Sequence, residues 1–184
     1  MSAIGLSVIS NASPLAQTMT DSILVATTVA GLVSIFNGLG RLVFGFVLDA
    51  KGSRFVISVV SIGLGLASVI TAVAVYTENF VVLIAAFIMT GLSFGGVTPT
   101  QSTYTSKVFG SKNYSNNFSV VNLCLFVASF VGPYLMGIMN GIGGYRLMAL
   151  CFIGFAVIGF VLKLFLKLHF EGSIKNKGGN QWEK

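Results

Sequence analysis

The chain has little charge, a single histidine and two cysteines, and each scarcity excludes a class of protein. Charged residues make up 9% of its 184 residues and hydrophobic residues 54%, and the mean hydropathy is +0.89. Soluble domains carry about 25% charged residues. A soluble globular domain is therefore excluded, because the chain has too few polar residues to cover its surface.

The residue types that metal sites and hydrolytic centres need are equally scarce. His169 is the single histidine, and Cys124 and Cys151 lie within separate apolar runs. The sequence has no nucleotide-binding loop and no Ser/His/Asp pattern. It therefore predicts neither an enzyme nor a bound metal, nucleotide or other cofactor.

Long apolar runs, by contrast, are abundant. A membrane-spanning helix needs about 20 mostly apolar residues, and runs of about that length or more follow a shorter first one: Ala3–Met19, Ser22–Leu48, Phe55–Tyr76, Phe80–Phe109, Phe118–Asn140 and Tyr145–Leu166. They predict an all-α transmembrane domain over residues 1–168, with a cytoplasmic tail without regular structure at 169–184. Because the first run is short and contains Pro14, we expect it to be the end of a truncated helix.

The basic residues are distributed unevenly between the two sides of this predicted bundle. Short loops rich in Lys and Arg face the cytoplasm. The loops on one side carry a single basic residue, Arg146. Those on the other side, with the C-terminal end, carry all the remaining ones except Arg41: Lys51, Arg54, Lys107, Lys112, Lys163, Lys167, Lys175, Lys177 and Lys184. The pattern predicts a multi-pass protein of the cell membrane with both termini in the cytoplasm, and it accounts for the net charge of +6 without nucleic acid.

The most specific segment is the short connection between the second and third runs, Gly45-Phe-Val-Leu-Asp49-Ala-Lys-Gly52-Ser-Arg54. Gly45 permits close helix approach, Gly52 permits a tight reversal, and Asp49 ends its helix where the dipole disfavours a carboxylate, which indicates a partner on another helix. The run resembles the signature loop of the major facilitator superfamily, Gly-x-Leu-Ala-Asp-Arg-x-Gly-Arg-Lys. It departs from that loop at positions 50 and 53, where the family usually has basic residues.

In that family the loop joins helices 2 and 3 and recurs in degenerate form between helices 8 and 9. The degenerate form here, followed by few further spans, indicates helices 8 and 9, so the resemblance implies the C-terminal six-helix half, helices 7–12. Shorter segments at 9–17, 37–41, 109–118, 132–133 and 144–145 are similar to the oxalate/formate antiporter-like branch. The resemblance implies a secondary transporter of organic anions.

Arg41 is the leading candidate for substrate binding. It precedes Asp49 by eight residues, which places it about 12 Å inside the loop along the helix axis, and Asn37 lies one turn earlier on the same face. A charge at that depth needs a cavity or a partner, and a guanidinium beside an amide suits a carboxylate. Arg41 resembles a basic pocket residue of the oxalate/formate branch. The alternative is a structural pair with Asp49 or a helix C-terminus.

Other polar residues within the spans are either substrate contacts or interhelical hydrogen bonds. Asn122 and Gln101 fall at a depth similar to that of Arg41, and the remaining candidates are Asn11, Gln17 and Tyr104. Oxalate carriers are expected to have a lysine in the stretch 122–126, and this chain has none there. That absence favours a monocarboxylate or another small organic anion over oxalate.

Small residues predict where helices pack closely. Gly31, Gly38 and Gly45 recur along one stripe of the second run, and Gly91–Gly95 and Gly137–Gly141 form small-xxx-small pairs. Gly95, Gly96 and Pro99 mark a kink or a flexible point in the long fourth run.

Two functions stay open. The first is transport of a small organic anion by alternating access, as exchange or uniport, because no acidic residue lies at the centre of a span. The second is a truncated or split half-transporter, inactive alone, or a structural or assembly subunit of a membrane complex. In either case the expected partners are the lipid bilayer and an N-terminal six-helix half or a second copy, with no nucleic acid.

Overall fold

The computed structural model describes the backbone of residues 2–110 and 114–176, and their side chains except at position 124 and at 162–176. The described residues form five α-helices and no strand: α1 (Ser2–Gln17), α2 (Ile23–Thr77), α3 (Phe80–Gly95), α4 (Val97–Phe109) and α5 (Tyr114–Asn176). The protein is therefore all-α, as the apolar runs predict.

Short polar side chains begin the helices on one side of the bundle. The Ser22 hydroxyl accepts a hydrogen bond from the backbone N–H of Val25 at 3.4 Å and starts α2. The Asn79 side chain accepts from the backbone N–H of Val81 at 3.0 Å and starts α3. Such caps satisfy N–H groups that have no acceptor within the helix. Together with the left-handed Glu78 (φ 52°), they hold the tight turn between α2 and α3.

A single glycine folds α2 back on itself. At Gly52 the backbone takes φ 77° and ψ 168°, a conformation that residues with a Cβ rarely adopt. Residues 23–51 form the first arm of α2 and residues 53–77 its second arm. Leu48 of the first arm packs in one buried cluster with Val56 and Val60 of the second, so the two arms lie side by side.

A second reversal divides α5. Gly143 (φ −134°) and Gly144 (φ 68°) leave the helical region, giving a first arm at 114–142 and a second arm at 145–176. Met136 of the first arm and Phe152 of the second are both fully buried in the same cluster. That cluster also contains Val8 and Leu15 of α1, which places α1 among the longer helices.

In the described part of the chain, three stretches are long and apolar enough to cross a membrane: Ile23–Thr77, Phe80–Phe109, which joins α3 to α4, and Tyr114–Val161. At 16 residues, α1 is shorter than a full span needs. The second arm of α5 continues through Asn176, so the helix enters the region predicted to be an irregular tail. Residues 177–184 of that tail lie outside the described residues.

Between α3 and α4 the backbone stays close to helical. Gly96 has φ −73° and ψ −15° and ends α3. Pro99 follows in the first turn of α4, where the N–H that it lacks would have had no helical acceptor. The junction is thus a shallow break in one continuous run, and the structure places Gly95 and Gly96 in contact with neighbouring helices.

The first arm of α2 and α3 approach each other backbone to backbone. A methyl group added at Gly95 would lie 2.8 Å from the backbone N of Arg41 and 2.8 Å from Cα of Gly40, and one at Gly91 would lie 2.5 Å from the carbonyl oxygen of Val33. Only glycine fits at these separations. The prediction of close packing is therefore correct at Gly91 and Gly95.

The same prediction is wrong, within this chain, for the other glycines of the predicted packing motifs. A Cβ added at Gly31, Gly38 or Gly45 meets nothing within 4 Å, and the same holds at Gly137 and Gly141. These residues lie on helix faces that the described part of the chain does not cover. The stripe at Gly31, Gly38 and Gly45 is thus an open surface.

Gly95→Ala should lower the free energy of unfolding by about 1–3 kcal/mol, because the methyl group would meet backbone atoms that cannot move independently. Gly38→Ala is the matched control in the facing helix and should leave stability unchanged or raise it by up to about 1 kcal/mol through helix propensity. Unfolding of the purified chain in mixed micelles, followed by circular dichroism, measures both. Equal effects of the two substitutions would contradict the described packing.

Candidate functional site

Arg41 lies on the first arm of α2, with its backbone fixed and its side chain outside the core. The close approach of Gly95 holds the backbone N of Arg41 against α3. Arg41 is nevertheless exposed. The contact therefore sets the position of the residue while leaving its guanidinium on the surface of the bundle.

Two adjacent strips on this arm differ in chemistry. Small and polar residues recur every three or four positions and share one face with Arg41: Gly31, Ser34, Gly38 and Gly45. Beside them runs a strip of large apolar side chains, with Ile35 60%, Leu42 63% and Phe46 76% exposed. Large apolar residues suit contact with lipid, whereas a small-residue strip suits close approach of protein or access of water.

Arg41 has no ionic partner among the described residues. The single ion pair that they contain joins Arg146 to Glu78 at 3.4 Å, at the opposite side of the bundle. Asp49 is exposed and, within the same part of the chain, is not paired with any cation. Among the described residues Arg41 therefore makes neither form of the structural alternative, a pair with Asp49 or with a helix C-terminus. The expected partner of Asp49 on another helix is not found there either.

Asn37 adds an unsatisfied polar atom one turn from Arg41. Its side chain is partly buried, and its Oδ1 atom is buried without a hydrogen-bond partner among the described residues. The nearby Gly95 approaches the backbone carbonyl oxygen of Asn37 as well as the N–H of Arg41. Leaving a buried acceptor unpaired costs about 1–3 kcal/mol. A protein can carry this cost at a binding site, where a ligand or a partner supplies the donor.

Gln101 and Tyr104 lie at a different place, a cavity of about 210 Å³. Its other lining residues come from α1, the second arm of α2, the α3–α4 junction and α4: Ser2, Ile57, Val60, Gly96, Val97 and Thr100. The lining is mostly apolar, and neither Arg41 nor Asn37 contributes to it. The structure therefore does not bring Gln101 into one cluster with Arg41.

The remaining candidates are dispersed. The Asn11 side-chain amide donates to the carbonyl oxygen of Ser7 within α1 at 2.9 Å, and Gln17 donates to Ser13 at 3.2 Å. Asn122 is exposed on the first arm of α5. Among the described residues neither Asn11 nor Asn122 makes a hydrogen bond to Arg41 or Asn37.

One buried polar atom was not anticipated from the sequence. The Ser7 hydroxyl is fully buried and has no hydrogen-bond partner in the described part of the chain. A methyl group added at Gly132 of α5 would clash with it, so Ser7 lies at the contact of α1 with α5. In the sequence, the signal that could have identified Ser7 was its position one turn before Asn11 on the same helix face.

The predicted signature loop occupies the reversal of α2. Gly52 makes the turn, and Arg54 and Asp49 are exposed on either side of it. The ammonium group of Lys51 lies 4.8 Å from the ring centroid of Phe55, across the turn. A cation over an aromatic face at this distance stabilises the reversal modestly.

Long apolar helices joined by tight glycine reversals are typical of a polytopic helical membrane protein. Within the described residues one of these helices carries Arg41 without an ionic partner. The family model of the Major Facilitator Superfamily matches residues 1–183. The chain belongs to this superfamily of secondary membrane transporters. No curated protein matches the chain significantly.

A double-mutant cycle tests whether Arg41 and Asp49 are energetically independent. Arg41→Gln and Asp49→Asn should give additive changes in the free energy of unfolding, with a coupling below about 0.5 kcal/mol, as expected for residues that do not interact. The measurement is micelle unfolding of the wild type, both single variants and the double variant. A coupling well above that value would restore the structural pair as the role of Arg41.

Proposed function

We propose that the chain is the C-terminal six-helix half, helices 7–12, of a secondary transporter that moves a small organic anion such as a monocarboxylate by alternating access. In this proposal α1 is the end of helix 7, the arms of α2 are helices 8 and 9, α3 with α4 is helix 10, and the arms of α5 are helices 11 and 12. The resemblance to the oxalate/formate antiporter-like branch supports this assignment, as does the degenerate loop around Gly52.

The observation that carries the proposal is the exposed guanidinium of Arg41 inside an apolar span, with no ionic partner among the described residues. An arginine at the centre of a membrane helix costs about 2.5–3.5 kcal/mol on insertion scales. Facing lipid, it would incur this cost without compensation. Facing a water-filled pathway, it remains hydrated and can bind an anion.

The strip that holds Arg41 supports the arrangement in which this residue faces a water-filled pathway. Its neighbours along the helix are Ser34, Gly38 and Gly45, whereas the large apolar side chains occupy the adjacent face. Transporters of this superfamily bind substrate near the membrane midplane between their two halves. We infer that the small-residue strip faces that pathway and that the apolar strip beside it faces lipid.

The chemistry around Arg41 suits a carboxylate. A guanidinium binds a carboxylate through two parallel N–H···O bonds, and the amide of Asn37 supplies a further donor one turn away. The buried Oδ1 atom of Asn37 is an acceptor in need of a donor, which a hydroxyl of the substrate or a residue of the other half would provide. We propose Gln101, Asn122 and Asn11 as further contacts, made as the helices move.

The distribution of carboxylates favours exchange or uniport over proton coupling in this half. Asp21 and Glu78 flank the ends of α2 at one side of the bundle, and Asp49 lies next to the Gly52 reversal at the other. None of these described carboxylates is buried within a span. An antiporter in which one anion replaces another at Arg41 needs no proton relay.

The uncovered small-residue strip also supports the proposal of a partner. The two halves of these transporters are related by an axis along the membrane normal, so an N-terminal six-helix half, or a second parallel copy, can face Gly31, Gly38 and Gly45 across the pathway. We propose that the complete transporter lies in the cell membrane with both termini of this chain in the cytoplasm. The cluster of basic residues at the Gly52 side supports that orientation.

Uptake of labelled formate and other monocarboxylates into vesicles tests the role of Arg41. The chain is assayed alone and with a co-expressed N-terminal half, to include the partner that the pathway requires. Arg41→Gln should lower uptake at least about tenfold, because one charge-assisted contact contributes about 1.5–3 kcal/mol. Arg146→Gln, which removes an exposed ion pair far from the strip, is the matched control and should transport normally. Wild-type uptake by a folded Arg41→Gln chain would refute the assignment.

Cysteine labelling tests the orientation. With Cys124 and Cys151 replaced by alanine, a cysteine placed at Ser53 should react with a membrane-impermeant maleimide only from the cytoplasmic side. One placed at Glu78 should react only from outside, because positive loops stay inside. The chain without cysteine gives the background. The reverse pattern of labelling would place the Gly52 reversal outside the cell.

A further inference from the structure

A polar recess lies where α4 ends and α5 begins. Its volume is about 410 Å³, and five side chains line it: Ser102, Thr103, Ser106, Lys107 and Tyr114. All five are polar, four carry a hydroxyl group and one an ammonium group, and no carboxylate is among them. In a chain that exposes many large apolar side chains, this concentration of donors is distinctive.

The lining residues come from one face of α4 and from the first residue of α5. Positions 102, 103, 106 and 107 fall within one arc of the helix. The Ser102 hydroxyl and the Tyr114 hydroxyl are joined by a hydrogen bond of 2.8 Å, which fixes the first turn of α5 against α4. The amide N–H groups of that first turn have no acceptor within the helix, and they add positive potential beside the recess.

Two of the hydroxyls of the recess make no hydrogen bond among the described residues. Thr100 and Thr105 of α4 donate to backbone carbonyl oxygens of their own helix, at 2.6 and 2.8 Å. Thr103 and Ser106 make no such bond within the described residues, although they belong to the same helix. The recess therefore presents two uncommitted hydroxyls and a lysine, with the Ser102–Tyr114 pair behind them.

The length of the α3–α4 run places this recess at the level of the lipid headgroups. Phe80–Phe109 has 30 residues, which at 1.5 Å per residue gives about 45 Å, against a hydrocarbon core of about 30 Å. The apolar α3 fits the core, so the polar end of α4 must project from it. Tyr104, Val108 and Phe109 are 41–48% exposed around that end, as suits residues at the membrane–water interface.

We propose that this recess binds a phosphate group, with Lys107, Ser106 and Thr103 as its donors. A phosphate offers several acceptor oxygens in a tetrahedral arrangement, and lysine binds it as a point charge. At this depth the phosphate belongs to the headgroup of an anionic lipid, and a free phosphate ester in solution has the same chemistry. The leaflet is the cytoplasmic one, where anionic lipids concentrate, a point that rests on the orientation proposed above.

Lipid retention by the full-length chain tests the proposal. The chain is placed in nanodiscs of phosphatidylcholine with increasing phosphatidylglycerol, extracted into mild detergent, and its bound lipids are counted by native mass spectrometry. The chain should retain phosphatidylglycerol in preference to phosphatidylcholine. Lys107→Gln, and Thr103→Val with Ser106→Ala, should each lower that preference about tenfold, equal to roughly 1.4 kcal/mol. Lys51→Gln, a cation outside the recess, is the control and should have no effect.

A second arm distinguishes the source of the phosphate. Glycerol phosphate is titrated against the chain in phosphatidylcholine nanodiscs, with melting temperatures recorded for every variant. Saturable binding of glycerol phosphate that requires Lys107 assigns the site to a soluble phosphate. Retention of phosphatidylglycerol that requires Lys107, without binding of glycerol phosphate, assigns it to the lipid headgroup. The proposal is overturned by an absence of both, by equal losses in Lys51→Gln, or by full retention in the folded hydroxyl variant. None of these readouts involves transport, so their failure would not count against the proposed role of Arg41.

Discussion

The approach of α3 to the first arm of α2 sets the position of every other feature of the site. At Gly91 and Gly95 the two backbones come closer than any side chain would allow. In a membrane, where apolar burial gives no net attraction between helices, such contacts supply much of the packing. Because the contact involves the backbone of Asn37 and Arg41, it fixes both residues while leaving the Arg41 guanidinium outside the core. The small-residue strip beside Arg41 remains uncovered by the described part of the chain.

A second constraint is the thickness of the bilayer, which explains why the helices end or turn where they do. A helix as long as α2 or α5 cannot stay in a core of about 30 Å, so each reverses at glycine, Gly52 in one and Gly144 in the other. The α3–α4 run does not reverse, and its polar end leaves the core instead. In the proposed arrangement, the strip around Arg41 and the recess around Lys107 therefore occupy different depths, one inside the membrane and one at its surface.

Much of this architecture follows from sequence, and the exceptions have physical reasons. Apolar runs predict the all-α membrane fold, because lipid requires helices to satisfy their own backbone groups. The closeness of Gly95 to α2 also follows, whereas the open face at Gly38 does not, since glycine spacing is the same for a buried and an exposed strip. The absence of an Arg41–Asp49 pair depends on rotamers that spacing cannot specify. The recess at Ser102 and Tyr114 joins residues on two helices, which no periodicity reveals.

The central claim is that the Arg41 guanidinium meets an anion in a hydrated pathway. The chain has three arginines, Arg41, Arg54 and Arg146, so the guanidinium N–H signals of a chain labelled with ¹⁵N-arginine can be assigned by single substitutions. On titration with formate in nanodiscs, the account predicts a saturable shift of the Arg41 signal alone. Signals that move together, or an Arg41 signal that does not respond while another does, would contradict it.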